Sequence, residues 1–171
     1  MQHETIPILD EAAVHARLRR MAYEIYEANY QEPELIVIGI DERGGFLAQE
    51  LCAFLEKISL IPITLVSSHL DRAAEGGAMG IELSASIEDL EGKPVIVVDD
   101  VLYTGRTLMN VVAILLHAGP RSIQAAILID RGHRSMPISP DFVGLELATT
   151  IQQHVFFDTG KETGQVMAYL A

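Results

Sequence analysis

The chain has 171 residues, 49% of them hydrophobic, with 24 Asp and Glu against 12 Lys and Arg and a formal net charge of −12. That length fits one domain over residues 1–171 with a substantial core, and the apolar content excludes a disordered chain. The acid excess disfavours non-specific binding to nucleic acid, which needs cations to neutralise phosphates, but it does not oppose a magnesium-complexed small phosphate in one local pocket.

Asp10 is placed to cap a helix over about Glu11 to Asn29, with Val14, Leu18, Met21, Ala22 and Ile25 at helical spacing and His15 among the polar positions. Glu34 to Ile40 reads as a strand buried on both faces. It is followed by a polar turn, Asp41-Glu42-Arg43-Gly44-Gly45, and a helix from Phe46 to about Lys57. The single cysteine, Cys52, lies in that helix between Leu51 and Phe54. It can form no internal disulfide and reads as a core thiol, not a nucleophile. Ile61 to Val66 is a third strand. From Ser67 to about Glu91 the chain turns small and polar, with Gly76, Gly77 and Gly80 clustered, which predicts a long loop that is the least ordered part of the free protein.

Val95-Ile96-Val97-Val98 follows Pro94 as another doubly buried strand, ending in two adjacent carboxylates, Asp99 and Asp100. A short turn containing Thr104 and Gly105 opens a helix with Leu108, Val111, Val112, Leu115 and Leu116 on one side. Free amides and the positive dipole end at such a turn make a phosphate seat. Paired carboxylates just upstream suit sugar hydroxyls or a phosphate-bound Mg²⁺. The same pattern also fits a plain strand–helix turn with solvated aspartates and a Thr104 cap. Gly119-Pro120 then stops the helix, and Ile123 to Ile129 is a strand leading into the charged run Asp130-Arg131-Gly132-His133-Arg134. Phe142 to Leu145, His154 to Phe157 and Gln165 to Leu170 follow as short apolar segments, the last two of them strands. Strands alternating with helices predict an α/β fold with an open, mostly parallel sheet and ligands at its C-terminal edge. With no signal pattern and no apolar run of about 18 residues, a soluble cytoplasmic protein is expected.

The run Val97-Val98-Asp99-Asp100-Val101-Leu102-Tyr103-Thr104-Gly105-Arg106-Thr107 resembles the motif by which type I phosphoribosyltransferases bind PRPP (5-phosphoribosyl 1-diphosphate). With Asp130 to Arg134 added, it is most similar to that family's bifunctional pyrimidine-operon attenuation regulators/uracil phosphoribosyltransferases. The resemblance implies that Tyr103, Thr104, Gly105, Arg106 and Thr107 surround the 5-phosphate end of PRPP. It implies that Asp99 and Asp100 take the ribose hydroxyls and the Mg²⁺ carried with PRPP, and that Arg43 and Gly44 receive pyrophosphate, with Asp99, Asp100 and Arg43 as the catalytic set. The loop from Ser67 would be a lid, and the segment Phe142 to Leu145 would lie near the base. Tyr103, Asp130, Arg131 and His133 would form the base site. Tyr103 and Asp130 match the uracil-type members, where purine-using members resembling this fold have an acid and a lysine. Arg131 could equally be held by a carboxylate.

Four positions depart from the pattern. Asp41 stands where the related attenuators carry lysine, and a carboxylate beside pyrophosphate must turn outward or be bridged by metal. Ser67 and Ser68 replace an aromatic and a basic residue, and Leu145 replaces a lysine. On the motif match a uracil phosphoribosyltransferase is expected, with a pyrimidine-responsive RNA-binding attenuator or a non-catalytic PRPP or nucleotide sensor as alternatives; the departures at Asp41, Ser67 and Leu145 favour the last. Expected partners are PRPP, a nucleobase or its nucleotide, and further copies of the chain in a homo-oligomer. Tight binding of structured RNA is not expected, because no window of the chain is strongly basic.

Overall fold

The run of β-branched residues at 95–98 has apolar partners on both sides. In the computed structural model, which describes residues 5–72 and 79–171, Ile96 and Val98 face one core, while Val95 and Val97 face another. Alternation along one central strand thus builds a layer on each face of a sheet.

The elements among the described residues are β1 (Ile6–Leu9), α1 (Glu11–Asn29), β2 (Leu35–Ile40), α2 (Asp41–Ile58), β3 (Ile63–Asp71), β4 (Gly80–Leu83), β5 (Pro94–Leu102), α3 (Arg106–Leu116), β6 (Ser122–Asp130), β7 (Phe142–Glu146), β8 (Val155–Thr159) and β9 (Val166–Leu170), with a 3₁₀ turn at Ile87–Leu90. Six strands form the main sheet in the order β4-β3-β2-β5-β6-β7. All its pairs are parallel except β3 with β4. Helices α1 and α2 pack on one face through Val14, Leu18, Met21, Leu47 and Leu51. Helix α3 covers the other through Leu108, Val111 and Leu115, while Leu116, placed on the apolar side by its spacing, is exposed. Asp10 accepts from the Ala13 amide at 2.8 Å, the expected cap of α1. Cys52 is buried, and burial pushes its thiol up to about 12, which suits a core residue.

The order of strands fixes where a ligand can enter. From β2 the chain winds outward to β3 and β4, and from β5 it winds the other way to β6 and β7. The switch point lies between β2 and β5, the place where open α/β sheets leave a crevice beyond their strand ends.

Four expectations are corrected. The predicted polar turn after β2 is helical from Asp41 onward, because Gly39 and Gly44 allow α2 to start directly against the sheet: a Cβ on Gly39 would lie 2.5 Å from the Gly45 Cα. The strand expected to end at Val66 runs on to Asp71, with Val66, Ser68 and Leu70 buried between exposed Ser67 and His69. Ser68 can occupy a buried position because its hydroxyl donates to the Gly39 carbonyl at 2.8 Å. Ser67 to Glu91 is therefore not one long loop: it contains the end of β3, an antiparallel β4 and a 3₁₀ turn that buries Leu90. Gly76 and Gly77 fall outside the described residues, while Gly80 begins β4. Finally, β1, β9 and β8 form a separate antiparallel sheet, and β1, which the sequence pattern does not mark as a strand, lies at its edge. Its Leu9, Phe157 and Ala168 join the core beneath α1 and α2. No helix among the described residues is long and apolar enough to cross a membrane.

Candidate active site

The C-terminal edge of the sheet collects the chemistry. In register, Val98 lies opposite both Gly39 of β2 and Ala126 of β6, and Leu102 lies opposite Asp130. Residues just past these points, at the starts of α2 and α3 and at the end of β6, therefore open on the same side.

A cavity of about 360 Å³ is lined by Asp41, Glu42, Arg43, Arg72, Asp99, Asp100 and Thr107, with Ile40 and Val101 as its apolar wall. Arg43, Asp99, Asp100 and Thr107, all expected site residues, are thus brought together. The Arg43 guanidinium lies 3.7 Å from the Asp100 carboxylate, and the Asp100 amide donates to Asp99 Oδ1 at 2.9 Å. Burial first, and the neighbouring Asp100 charge second, hold the Asp99 carboxyl well above the usual carboxylate range. An acid pair kept this close and desolvated is suited to a cation or to hydroxyl donors. No group of three or more His, Cys, Asp or Glu among the described residues forms a metal cage. The two carboxylates suit a Mg²⁺ only if a ligand's phosphates and waters complete its shell, as that ion prefers.

Gly44 has a packing role in this geometry. A Cβ there would lie 2.5 Å from the Val98 carbonyl oxygen, so the glycine lets the first turn of α2 rest on β5 beside Asp99. At the other helix, Gly105 caps α3 with φ +80°, and a Cβ there would meet Ile138 at 2.7 Å. No side chain caps α3 through Gly105. The Thr104 hydroxyl is only 3.4 Å from the Arg106 amide, and the first bond closing the helix runs from Met109 to Gly105. The start of α3 therefore keeps amides for an anion. The Thr104 carbonyl accepts from Ser135 and Met136 at 2.9 and 3.1 Å, which pins this turn against the segment after β6. Arg106 is exposed.

Of the expected base residues, Asp130, Arg131 and His133 line a second concavity, of about 550 Å³, formed by residues 130–134 and 146–149. Asp130 is buried and spoken for: Oδ1 accepts from the Gly132 amide at 2.9 Å and Oδ2 pairs with Arg134. Arg131 is also buried, and among the described residues it is held by no carboxylate. Its Nε donates to Thr149 Oγ1 at 2.9 Å, and Nη2 donates to the carbonyls of Thr150 and Gln153. Its guanidinium lies 4.2 Å from the centroid of the Tyr103 ring, and His133 meets the same ring edge-on at 6.0 Å. Tyr103 thus packs on two residues of this concavity without lining it.

Asp41 neither turns away from the cavity nor needs a metal. Its φ of +51° is the one positive value at a non-glycine residue among those described. Oδ1 accepts from the Leu70 amide of β3 at 2.8 Å, and Oδ2 pairs at 2.8 Å with Arg72, just past β3, so its charge is compensated from that side. Arg72 is the site residue that sequence reasoning missed. Its signal was positional, since the end of a strand parallel to β2 must reach the same edge as Asp41.

A model of the phosphoribosyl transferase domain matches residues 7–160. The chain is 43% identical over 150 residues to the bifunctional protein PyrR of Brevibacillus brevis, covering 83% of each chain. It is 39% identical over 171 residues to that of Citrifermentans bemidjiense, covering 94% of this chain and 95% of the relative. In fold it resembles a hypoxanthine-guanine phosphoribosyltransferase from Bacillus anthracis (TM-score 0.75, 17% identity, 99% of this chain and 100% of that one). It likewise resembles a hypoxanthine phosphoribosyltransferase from Staphylococcus aureus (TM-score 0.73, 19% identity, 87% and 80%). With a match that runs from β1 through β8 and takes in both concavities at the sheet edge, the chain belongs to the phosphoribosyltransferase family.

Proposed function

We propose that the protein transfers ribose 5-phosphate from PRPP to uracil, giving UMP and pyrophosphate. The observation that carries this reading is the cavity at the switch point. It sets an acid pair, an arginine and the open start of α3 around one volume of the size a phosphorylated pentose fills. The start of α3 from Thr104 to Thr107 takes the 5-phosphate on backbone amides. Asp99 and Asp100 accept from the ribose hydroxyls, and Arg43 faces the diphosphate. Mg²⁺ arriving on PRPP would be held by Asp99 and Asp100 and would lower the charge of the departing diphosphate.

The reaction displaces pyrophosphate from ribose C1 by a base nitrogen, through a transition state with oxocarbenium character. Little covalent work falls to the protein; positioning and charge compensation supply the rate. Uracil is favoured by Tyr103 and Asp130, which match the uracil-type members. Asp130, engaged by Gly132 and Arg134, acts by holding the turn that presents His133 and Arg131, not by touching the base. The resemblance of the two motifs to bifunctional attenuation regulators keeps an RNA-binding attenuator as the second reading. Against it stand the net charge of −12 and the pairing of four of the 12 Lys and Arg, namely Arg20, Lys93, Arg121 and Lys161, with glutamates.

Incubation with PRPP, Mg²⁺ and a panel of bases is expected to yield UMP from uracil and little nucleotide from guanine or hypoxanthine. Nucleotide from a purine without UMP would overturn the choice of base.

A further inference from the structure

The wall of the switch-point cavity has an awkward charge balance for a ligand ending in diphosphate. Asp41, Glu42, Asp99 and Asp100 face it, against Arg43 and Arg72. Arg43 is already beside Asp100. We propose that Arg72 is a second diphosphate-binding cation of this site, held there by Asp41. The inference rests on the PRPP reading above and extends it to β3.

Three observations converge on it. The backbone at Asp41 takes a left-handed conformation that an L residue adopts at a cost. It sends the carboxylate towards β3, where the Leu70 amide binds Oδ1 at 2.8 Å. The first-turn amides of α2 are thereby left without a side-chain cap, next to the arginine that Asp41 has recruited. Arg72 touches that carboxylate at 2.8 Å, and among the described residues it pairs with no other side chain. A guanidinium carries five N–H donors in a fixed fork, and a single contact leaves most of them for a second anion. Arg72 is also half exposed, with 57% of its side-chain area accessible, so a ligand can reach it. The carboxylate anchors and orients the cation, and the cation makes a carboxylate tolerable beside phosphate.

Calorimetric titration separates this idea from its foundation. Wild-type protein and Arg72→Gln, Arg72→Lys and Arg72→Gln/Asp41→Asn variants are titrated with PRPP·Mg²⁺, with inorganic pyrophosphate·Mg²⁺ and with UMP, which has no diphosphate. Arg72→Gln is expected to weaken PRPP and pyrophosphate about tenfold or more, with UMP affinity held within about twofold. In turnover, kcat/KM for PRPP falls, and Arg72→Lys retains part of the affinity. The double variant recovers part of the loss, because it removes the carboxylate left uncompensated. PRPP affinity within about twofold of wild type in Arg72→Gln, or an equal loss for UMP, overturns the role of Arg72. No recovery in the double variant overturns the role of Asp41. Wild-type protein that binds neither PRPP nor pyrophosphate overturns the PRPP reading itself, and this inference with it.

Discussion

Replacing Asp99 and Asp100 together by asparagine is expected to abolish PRPP binding and leave the fold intact. Removing one partner of a desolvated charged contact costs roughly 2–5 kcal/mol, so losing both carboxylates weakens PRPP by at least about 100-fold. The amides keep the shape of the edge. They also remove an acid pair whose burial and mutual charge already disfavour ionisation of Asp99. Thermal unfolding should therefore be unchanged or shifted upward while calorimetry with PRPP·Mg²⁺ goes flat. Unchanged affinity in the double variant would remove these residues from the site.

The second large effect belongs to a glycine. Gly44→Ala puts a methyl group 2.5 Å from the Val98 carbonyl oxygen and 3.4 Å from the Asp99 Cα, both backbone atoms that cannot swing aside. The first turn of α2 must lift off β5. Overpacking of this kind costs about 1–3 kcal/mol, and the shift moves Arg43 relative to Asp100. A lower urea midpoint together with weaker PRPP binding is the expected pair of results. Gly45→Ala is the control: a Cβ there meets nothing within 4 Å, and alanine at a helical position gains up to about 1 kcal/mol over glycine. Equal behaviour of the two variants would show that contact with β5 is not what Gly44 provides.

Much of the sheet was legible because β-branched runs such as Val95 to Val98 can hardly be anything but buried strands. The helix from Glu11 was legible from its cap and spacing. The parts that escaped share a physical cause. At Ser67 to Leu70 the buried face uses a serine whose hydroxyl bonds to the Gly39 carbonyl, so alternation is written in small polar residues that look like a loop. At Asp41 to Gly45, glycines that usually mark a turn serve a helix start in close contact with the sheet. The short β1 gains its partners only from β9, at the far end of the chain. In the site, the Asp99 and Asp100 pair and Arg43 could be read locally. Arg72 could not, since its role depends on β3 lying beside β2 and on the direction that a left-handed Asp41 gives its carboxylate. Arg131 was open between base and structure, and its donors go to Thr149 and to the carbonyls of Thr150 and Gln153.

The most direct test of the central claim is a crystal structure of the protein with PRPP and Mg²⁺. The account predicts the 5-phosphate on the amides at the start of α3 between Thr104 and Thr107, the ribose hydroxyls on Asp99 and Asp100, and the diphosphate between Arg43 and Arg72. PRPP bound elsewhere, or with its diphosphate at the start of α3 and its 5-phosphate on the arginines, would contradict it.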